Sequence, residues 1–370
     1  MKFTVSKEKF FHVLQKVSNV TPIRSTLPIL SCILFTVKDN ILKMRSTDLE
    51  ITMTASCQVK MEEEGAIAIP SKIIKEITGE LPDTDLYFHI EDEQVIITTG
   101  VGGEYKIMGY PAMEFPTEPV VDDSKMVTLQ ADKFKRIVDK TGFAVSRDEM
   151  KVALNGVLFQ FLSAELRAVS TDGHRLVKYT LKEFQGAEDI KDIIVPPKFL
   201  NLCVASMRNV DFVTLRIGAN HVMLELEDTT IYSRIIEERF PDYESVIPAE
   251  NDKKIRVNID DLMSVVKRVG IFASKNTRQI SLSFSQNSAL IKAEDIETAS
   301  TAKESIELEY QGDNFVIGYN SDYLREMIRH IDGDRVEIHL KNALMAGLFF
   351  PTEQLPDEEI LFLLMPIRLI

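Results

Sequence analysis

A chain of 370 residues with 45% apolar and 27% charged side chains has an ordinary globular composition, too long for one domain and too apolar for disorder. No run of 18 apolar residues occurs and the N-terminal "MKFTVSKEKFFHVLQK" lacks an apolar core, so neither a membrane span nor a signal peptide is expected, and the expected location is cytoplasmic. The formal net charge of −14, taken whole, argues against a nucleic-acid partner, and Cys32, Cys57 and Cys203 form no CxxC pair, which leaves reduced, mostly buried thiols and no zinc site.

In chain order the elements recur three times. "FTVSKEKFFHVLQKVSNV" (3–20), "VTLQADKFKRIVDKTGFA" (127–144) and "IRVNIDDLMSVVKRVGIF" (255–272) each read as a short alternating strand running into a helix. The apolar stripes are Phe10, Val13, Leu14 and Val17; Phe134, Ile137, Val138 and Thr141; Leu262, Val265, Val266 and Val269. Two strands follow each helix, in the first copy around a turn at Asp39-Asn40. An extended segment then leads into a second helix, "SKIIKEITGE" (71–80), "PKFLNLCVASM" (197–207) or "SDYLREMIRH" (321–330), and more strands. Ser71 and Ser321 suit an N-cap or first turn, and Pro197 a first turn. The expected fold class is α+β, with three duplicated domains at 1–118, 126–247 and 254–370, each of two helices and roughly eight strands.

The stretch "VSTDGHRLVKYT" (169–180) has the residue types of an active site. Its copies, "RSTDLEIT" (45–52) and "KAEDIETA" (292–299), keep Asp48, Asp172 and Asp295, and the first two keep Thr47 and Thr171. Asp and Thr at a strand end bond nearby backbone N–H groups and fix a turn, so Thr171 and Asp172 read as scaffold. Gly173, His174 and Arg175 have no counterpart in the other two copies. No GxSxG elbow, Walker loop, GxGxxG or HExxH occurs, so no catalytic residue, metal site or cofactor is expected, and the protein is read as non-enzymatic.

The helices 6–17, 131–141 and 196–208 each carry +2 and the other three balance to zero, so the rest of the chain carries −20. Lysines on helix faces are also what any solvated surface shows. In a threefold repeat, however, equivalent helices can present one basic surface to phosphates, without base-reading motifs and therefore without sequence preference.

"MKFTV" (1–5), "TLPIL" (26–30), "STDLE" (46–50), "LNGVLF" (154–159), "TDGHRL" (171–176), "RFPDY" (239–243) and "MPIRL" (365–369) resemble, in order and along essentially the whole chain, the bacterial DNA polymerase III beta subunit family of sliding clamps. The resemblance implies a ring-shaped head-to-tail homodimer that encircles double-stranded DNA without sequence specificity. It implies that the ring tethers DNA polymerases, a clamp loader and other proteins through a peptide-binding pocket. By resemblance that pocket comprises Leu154, Thr171, Gly173, His174, Arg175, Leu176, Pro241, Val246, Leu363, Met365, Pro366, Ile367, Arg368 and Leu369, with Asn320 and Tyr323 at its edge. Ordinary core is the alternative reading for Leu154, Leu176 and Leu363, whereas the apolar end "MPIRLI" is expected to want a partner. DNA contacts map to Arg24, Lys72, Lys198, Arg147 and Lys151, and the dimer interface to Tyr105 and Ile107 against Ile271 and Phe272. This sequence departs from the family in placing Asp148 and Glu149 beside Arg147 and in ending on Ile370. A repeat-built protein-binding scaffold without a DNA role is the competing function.

Overall fold

The computed structural model describes residues 1–122, 124–184 and 190–369. The first repeat runs β1 (Lys2–Ser6), α1 (Lys7–Ser18), β2 (Cys32–Lys38), β3 (Ile41–Thr47), β4 (Ile51–Gln58), β5 (Lys60–Glu63), β6 (Gly65–Pro70), α2 (Ser71–Glu80), β7 (Asp85–Glu91), β8 (Gln94–Thr99), β9 (Glu104–Met108) and β10 (Tyr110–Pro111). The second runs β11 (Lys125–Gln130), α3 (Ala131–Thr141), β12 (Val157–Phe161), β13 (Glu165–Thr171), β14 (Arg175–Lys182), β15 (Ile193–Val195), α4 (Pro197–Ser206), β16 (Phe212–Ile217), β17 (His221–Glu225) and β18 (Thr229–Arg234). The third runs β19 (Lys253–Asn258), α5 (Ile259–Gly270), β20 (Gln279–Ser285), β21 (Ser288–Asp295), β22 (Ser300–Glu307), β23 (Phe315–Asn320), α6 (Ser321–Arg329), β24 (Arg335–Leu340), β25 (Gly347–Pro351) and β26 (Glu358–Leu364).

The apolar stripes of α1, α3 and α5 are buried at every position named above. Thr141 fits its stripe because its hydroxyl donates to the Ile137 carbonyl at 2.6 Å, leaving only the methyl to pack. In the first repeat Phe10 lies 5.0 Å from Phe88, and Phe88 stacks on Phe3 at 4.6 Å. Such pairs add ~1 kcal/mol each beyond area burial. Asp39 and Asn40 take φ of 52° and 61°, the left-handed pair a two-residue hairpin needs. Pro197 opens α4, and Ser71 and Ser321 are the first residues of α2 and α6, the first-turn alternative; Asn320 caps α6, its Oδ1 accepting from Asp322 N and Tyr323 N.

Four antiparallel sheets result, and two of them run across repeats. One orders β10-β6-β2-β3-β4-β18-β17-β16-β11 and another β15-β12-β13-β14-β26-β25-β24-β19. The others are β5-β1-β7-β8-β9 and β22-β21-β20-β23. The chain therefore clusters into two compact units that cut the middle repeat: residues 1–134 with 198–235, and residues 135–197 with 236–370. Within the first unit β4 pairs with β18 from Thr229↔Ala55 to Ser233↔Ile51. Within the second β14 pairs with β26 from Arg175↔Leu364 to Leu181↔Glu358. Among the described residues no helix is long and apolar enough to cross a membrane.

Candidate docking cleft and cationic surface

The turn before β14 is built as its sequence suggests. Thr171 Oγ1 donates to Arg175 O at 2.7 Å and accepts from Gly173 N at 3.0 Å, while Asp172 Oδ1 accepts from His174 N and Arg175 N. The turn before β4 repeats every bond: Thr47 Oγ1 to Ile51 O, Leu49 N to Thr47 Oγ1, and Asp48 Oδ1 accepting from Glu50 N and Ile51 N. Gly173 therefore does have a conformational counterpart, since Leu49 takes φ of 77° where Gly173 takes 91°. Ser170 is no nucleophile. It is buried and donates to Thr141 O at 2.6 Å, as Ser46 does to Val17 O at 2.6 Å, tying each strand to the end of its helix.

What the second repeat adds is Arg175, which lines the cleft and is held there by its own bonds. The side chain is 7% exposed and each of its three nitrogens donates a hydrogen bond: Nε to Asp172 Oδ2, Nη1 to Glu326 at 2.7 Å, Nη2 to Phe143 O. Its guanidinium lies 5.2 Å from the Phe143 ring centre and 4.8 Å from that of Tyr323. Arg175 thus clamps α6 to the turn and forms part of the cleft lining. His174 is exposed and stacks on Tyr323 with ring centres 5.7 Å apart. Asn320 sets the start of α6 and so aims Tyr323. Around them opens a cleft of about 410 Å³, which Arg147 and Lys151 also line beside Asp148. Burial raises the Tyr323 phenol pKa, with Asp172 adding to it.

Beside the cleft, Leu176 and Leu363 face each other across β14 and β26, and Leu363 faces Leu348 across β25. These leucines join Leu158, Val169, Ile194, Tyr243 and Ala346 in one buried cluster. Leu176 and Leu363 are both buried in this cluster, at 2% exposure each. Leu154 is half-buried, Pro241 is exposed and lines a second opening with Phe240 and Ile194, and Val246 is 51% exposed. The terminal segment is not a loose apolar end. Met365 N donates to His174 O and Ile367 N to Gly318 O, both at 2.8 Å. A Cβ on Gly318 would stand 2.5 Å from Ile367 O, so glycine is what lets the tail approach. Met365 and Arg368 stay exposed while Pro366, Ile367 and Leu369 are half-buried; Ile370 lies outside the described residues. Sequence reasoning missed Phe143, Glu326 and Leu348, which depend on long-range packing.

The first repeat closes its own version of this surface. Where the second has Val169, it has Arg45, whose Nη2 donates to Pro116 O and whose guanidinium lies 5.7 Å from the ring of Phe115. Phe115 is buried against Leu34 and Ala68, the positions matching Leu158 and Ile194.

The cationic residues are less free than the charge count suggested. Arg24 and Lys72 are exposed in the first unit without an ion pair among the described residues. Lys198, in the first turn of α4, has its Nζ 2.5 Å from Asp48 Oδ2. Lys16 pairs with Asp228 at 2.7 Å; burial opposes ionisation of Asp228, but Lys16 outweighs it and the carboxyl pKa is lowered. On α3, Arg136 and Lys140 are bound to Asp332 and Arg136 also to Glu358, so these two bases are neutralised. Tyr105 and Ile107 lie on the edge strand β9, where the Ile107 side chain is 5% exposed. Ile271 and Phe272 are exposed, Ile271 at 76%. Among the described residues no group of three or more His, Cys, Asp or Glu could hold a metal, and burial lifts the Cys32 thiol to about 11.

Three family models match in sequence: the DNA polymerase III beta subunit N-terminal domain over residues 1–119, its central domain over 128–242 and its C-terminal domain over 244–368. The chain belongs to the DNA polymerase III beta subunit family. The proteins named beta sliding clamp from Pseudomonas putida and from Escherichia coli K12 are each 29% identical, over the full length of both chains. The crystal structure of the Pseudomonas aeruginosa DNA polymerase III subunit beta matches over the whole of both chains with a TM-score of 0.93 and 28% identity. That of the Bartonella birtlesii sliding clamp, bound to griselimycin, matches with a TM-score of 0.95 and 27% identity, again over all of both chains.

Proposed function

We propose that the protein is a DNA polymerase sliding clamp, a non-catalytic processivity factor in which two head-to-tail copies encircle double-stranded DNA in the cytoplasm and hold polymerases and a clamp loader by short peptides. One observation carries the ring. The strand after each Asp turn is β4, β14 or β22, and the last strand of each β7–β9-like trio is β9, β18 or β26. In the chain β4 pairs with β18 and β14 with β26, which leaves β22 and β9 as unpaired edges of their own sheets. An edge strand seeks a partner, and the same joint made between β22 of one copy and β9 of another completes the pattern. Ile271 supports this: it occupies the place of Phe143, which in the chain stacks on His330 at 4.1 Å, yet Ile271 is uncovered.

Duplex DNA needs no tight site in such a ring. Arg24, Lys72, Lys198, Arg147 and Lys151 would meet phosphates only, while the −14 overall charge keeps DNA from the remaining surface. Protein loaded onto nicked circular DNA should be retained, then released when the circle is cut to a linear form. Equal retention on both would sink the clamp reading and favour a scaffold without a DNA role.

The partner peptide would lie over Val246, Pro241 and the tail residues Met365 to Leu369, with its polar end near His174, Asn320 and Tyr323. Leu176→Ala is a poor test, because emptying that buried position costs ~2–5 kcal/mol of stability. Val246→Asp is clean. It should weaken a polymerase-tail peptide by ~1–3 kcal/mol in calorimetric titration with the oligomer mass unchanged. Unaltered affinity would move the peptide elsewhere.

A further inference from the structure

The threefold repeat allows one place to be compared with its own copy. In the second unit α3 carries Arg136, Asp139 and Lys140, and the turn after α6 carries Asp332. Asp332 sits between the two bases, its Oδ1 2.6 Å from Lys140 Nζ and its Oδ2 2.8 Å from Arg136 Nη2. Asp139 adds a second carboxylate, 3.5 Å from Lys140 Nζ. The first unit has the same geometry with different charges. Counting back 124 residues, His12 stands for Arg136, Gln15 for Asp139, Lys16 for Lys140 and Arg208 for Asp332. The register is secured by structure: Ser46 and Ser170 bond Val17 O and Thr141 O alike, and Asn209 at φ 52° and Gly333 at φ 87° follow Arg208 and Asp332.

In the first unit, then, both carboxylates are gone and one has become an arginine. His12, Gln15, Lys16, Lys75 and Arg208 line a cleft of about 320 Å³ that contains no acidic side chain. Asp228 neutralises Lys16 from one side, but Lys75 and Arg208 make no ion pair among the described residues. Like charges converging on an open cleft repel one another unless an anion enters. The sister copy shows where that anion's oxygens belong.

We propose that this cleft is a phosphate-binding site, in which an external oxyanion takes the place that the Asp332 carboxylate fills in the second unit. The recognised chemistry is a tetrahedral phosphate group held by Lys16, Lys75 and Arg208. It comes either from a DNA backbone or from free phosphate. The anion chemistry stands without the clamp reading; only the DNA source rests on it.

The test uses the full-length protein and three variants. Arg208→Asp restores the built-in carboxylate of the sister copy, Arg208→Gln removes the charge alone, and Lys43→Asp repeats the charge reversal on an exposed position of β3 away from the cleft. Inorganic phosphate is titrated with calorimetric detection, and a short duplex is titrated across salt concentrations. Saturable phosphate binding that falls at least tenfold in both Arg208 variants and not in Lys43→Asp supports the site with free phosphate as a ligand. If phosphate alone does not saturate, a salt dependence of duplex binding flattened by about one counterion per site in the Arg208 variants only supports the backbone source. Arg208 variants that match the wild type in both titrations, or a Lys43→Asp loss equal to theirs, overturn the proposal. Saturable phosphate binding that only the Arg208 variants lose, in a protein that is not retained on circular DNA, would remove the clamp reading and leave this site standing.

Discussion

Arg136→Ala is expected to lower the unfolding free energy of the second unit by ~3 kcal/mol, because it removes the guanidinium that pairs with two carboxylates, one of them buried. Glu358 is 1% exposed and receives Arg136 Nε at 3.0 Å. Asp332 keeps Lys140 but loses its second base. The pH dependence gives a second reading of the same change. Burial pushes the Asp332 carboxyl upward, but the hydrogen bonds and charges of Lys140 and Arg136 outweigh it, so its pKa lies below the ordinary aspartate value of 3.8. A depressed carboxyl contributes stability that is whole above its unfolded pKa and lost as pH falls through the folded one. Wild-type stability should therefore fall off below about pH 4, and the fall should be shallower in the variant, where part of the contribution is already missing. Urea unfolding between neutral pH and pH 3 measures both effects. A variant as stable as the wild type at pH 7 would show that the network is solvated and idle.

Ile271→Glu should convert a species near twice 42.0 kDa into one of 42.0 kDa. The position is exposed in the single chain, so folding is untouched and far-ultraviolet circular dichroism should not change. In the proposed joint the new carboxylate would be desolvated without a partner, a penalty of ~3 kcal/mol per joint, or more than a hundredfold in dissociation constant. Sedimentation equilibrium decides. A wild-type mass of 42.0 kDa would end the two-copy reading, and a variant that stays dimeric would place the contact away from Ile271.

The sequence revealed what local rules govern. Helix stripes such as Phe10, Val13, Leu14 and Val17 were legible because a 3.6-residue period has one buried solution. The Thr-Asp turns were legible because each bond spans two to four residues. What stayed hidden was settled by partners far along the chain. Lys140 reads as a solvated base until Asp332 arrives 192 residues later. Arg175 reads as a polar pocket head, with nothing nearby in the chain to show that Glu326 and Phe143 hold it. The tail reads as an apolar end in water until Gly318 accepts Ile367. The compact units also cross the repeat boundaries, because strand pairing between repeats leaves no trace in the period that defines them.

The cross-repeat ladders have a mechanical meaning. The β14–β26 joint holds seven residue pairs and the β4–β18 joint five, and both are closed into one continuous chain. Force along paired strands loads all their hydrogen bonds at once, so neither joint yields before many bonds break together. The proposed joint between copies would rest on β9, five residues long, with no peptide link behind it. In the proposed two-copy ring, that joint would part before either joint within the chain.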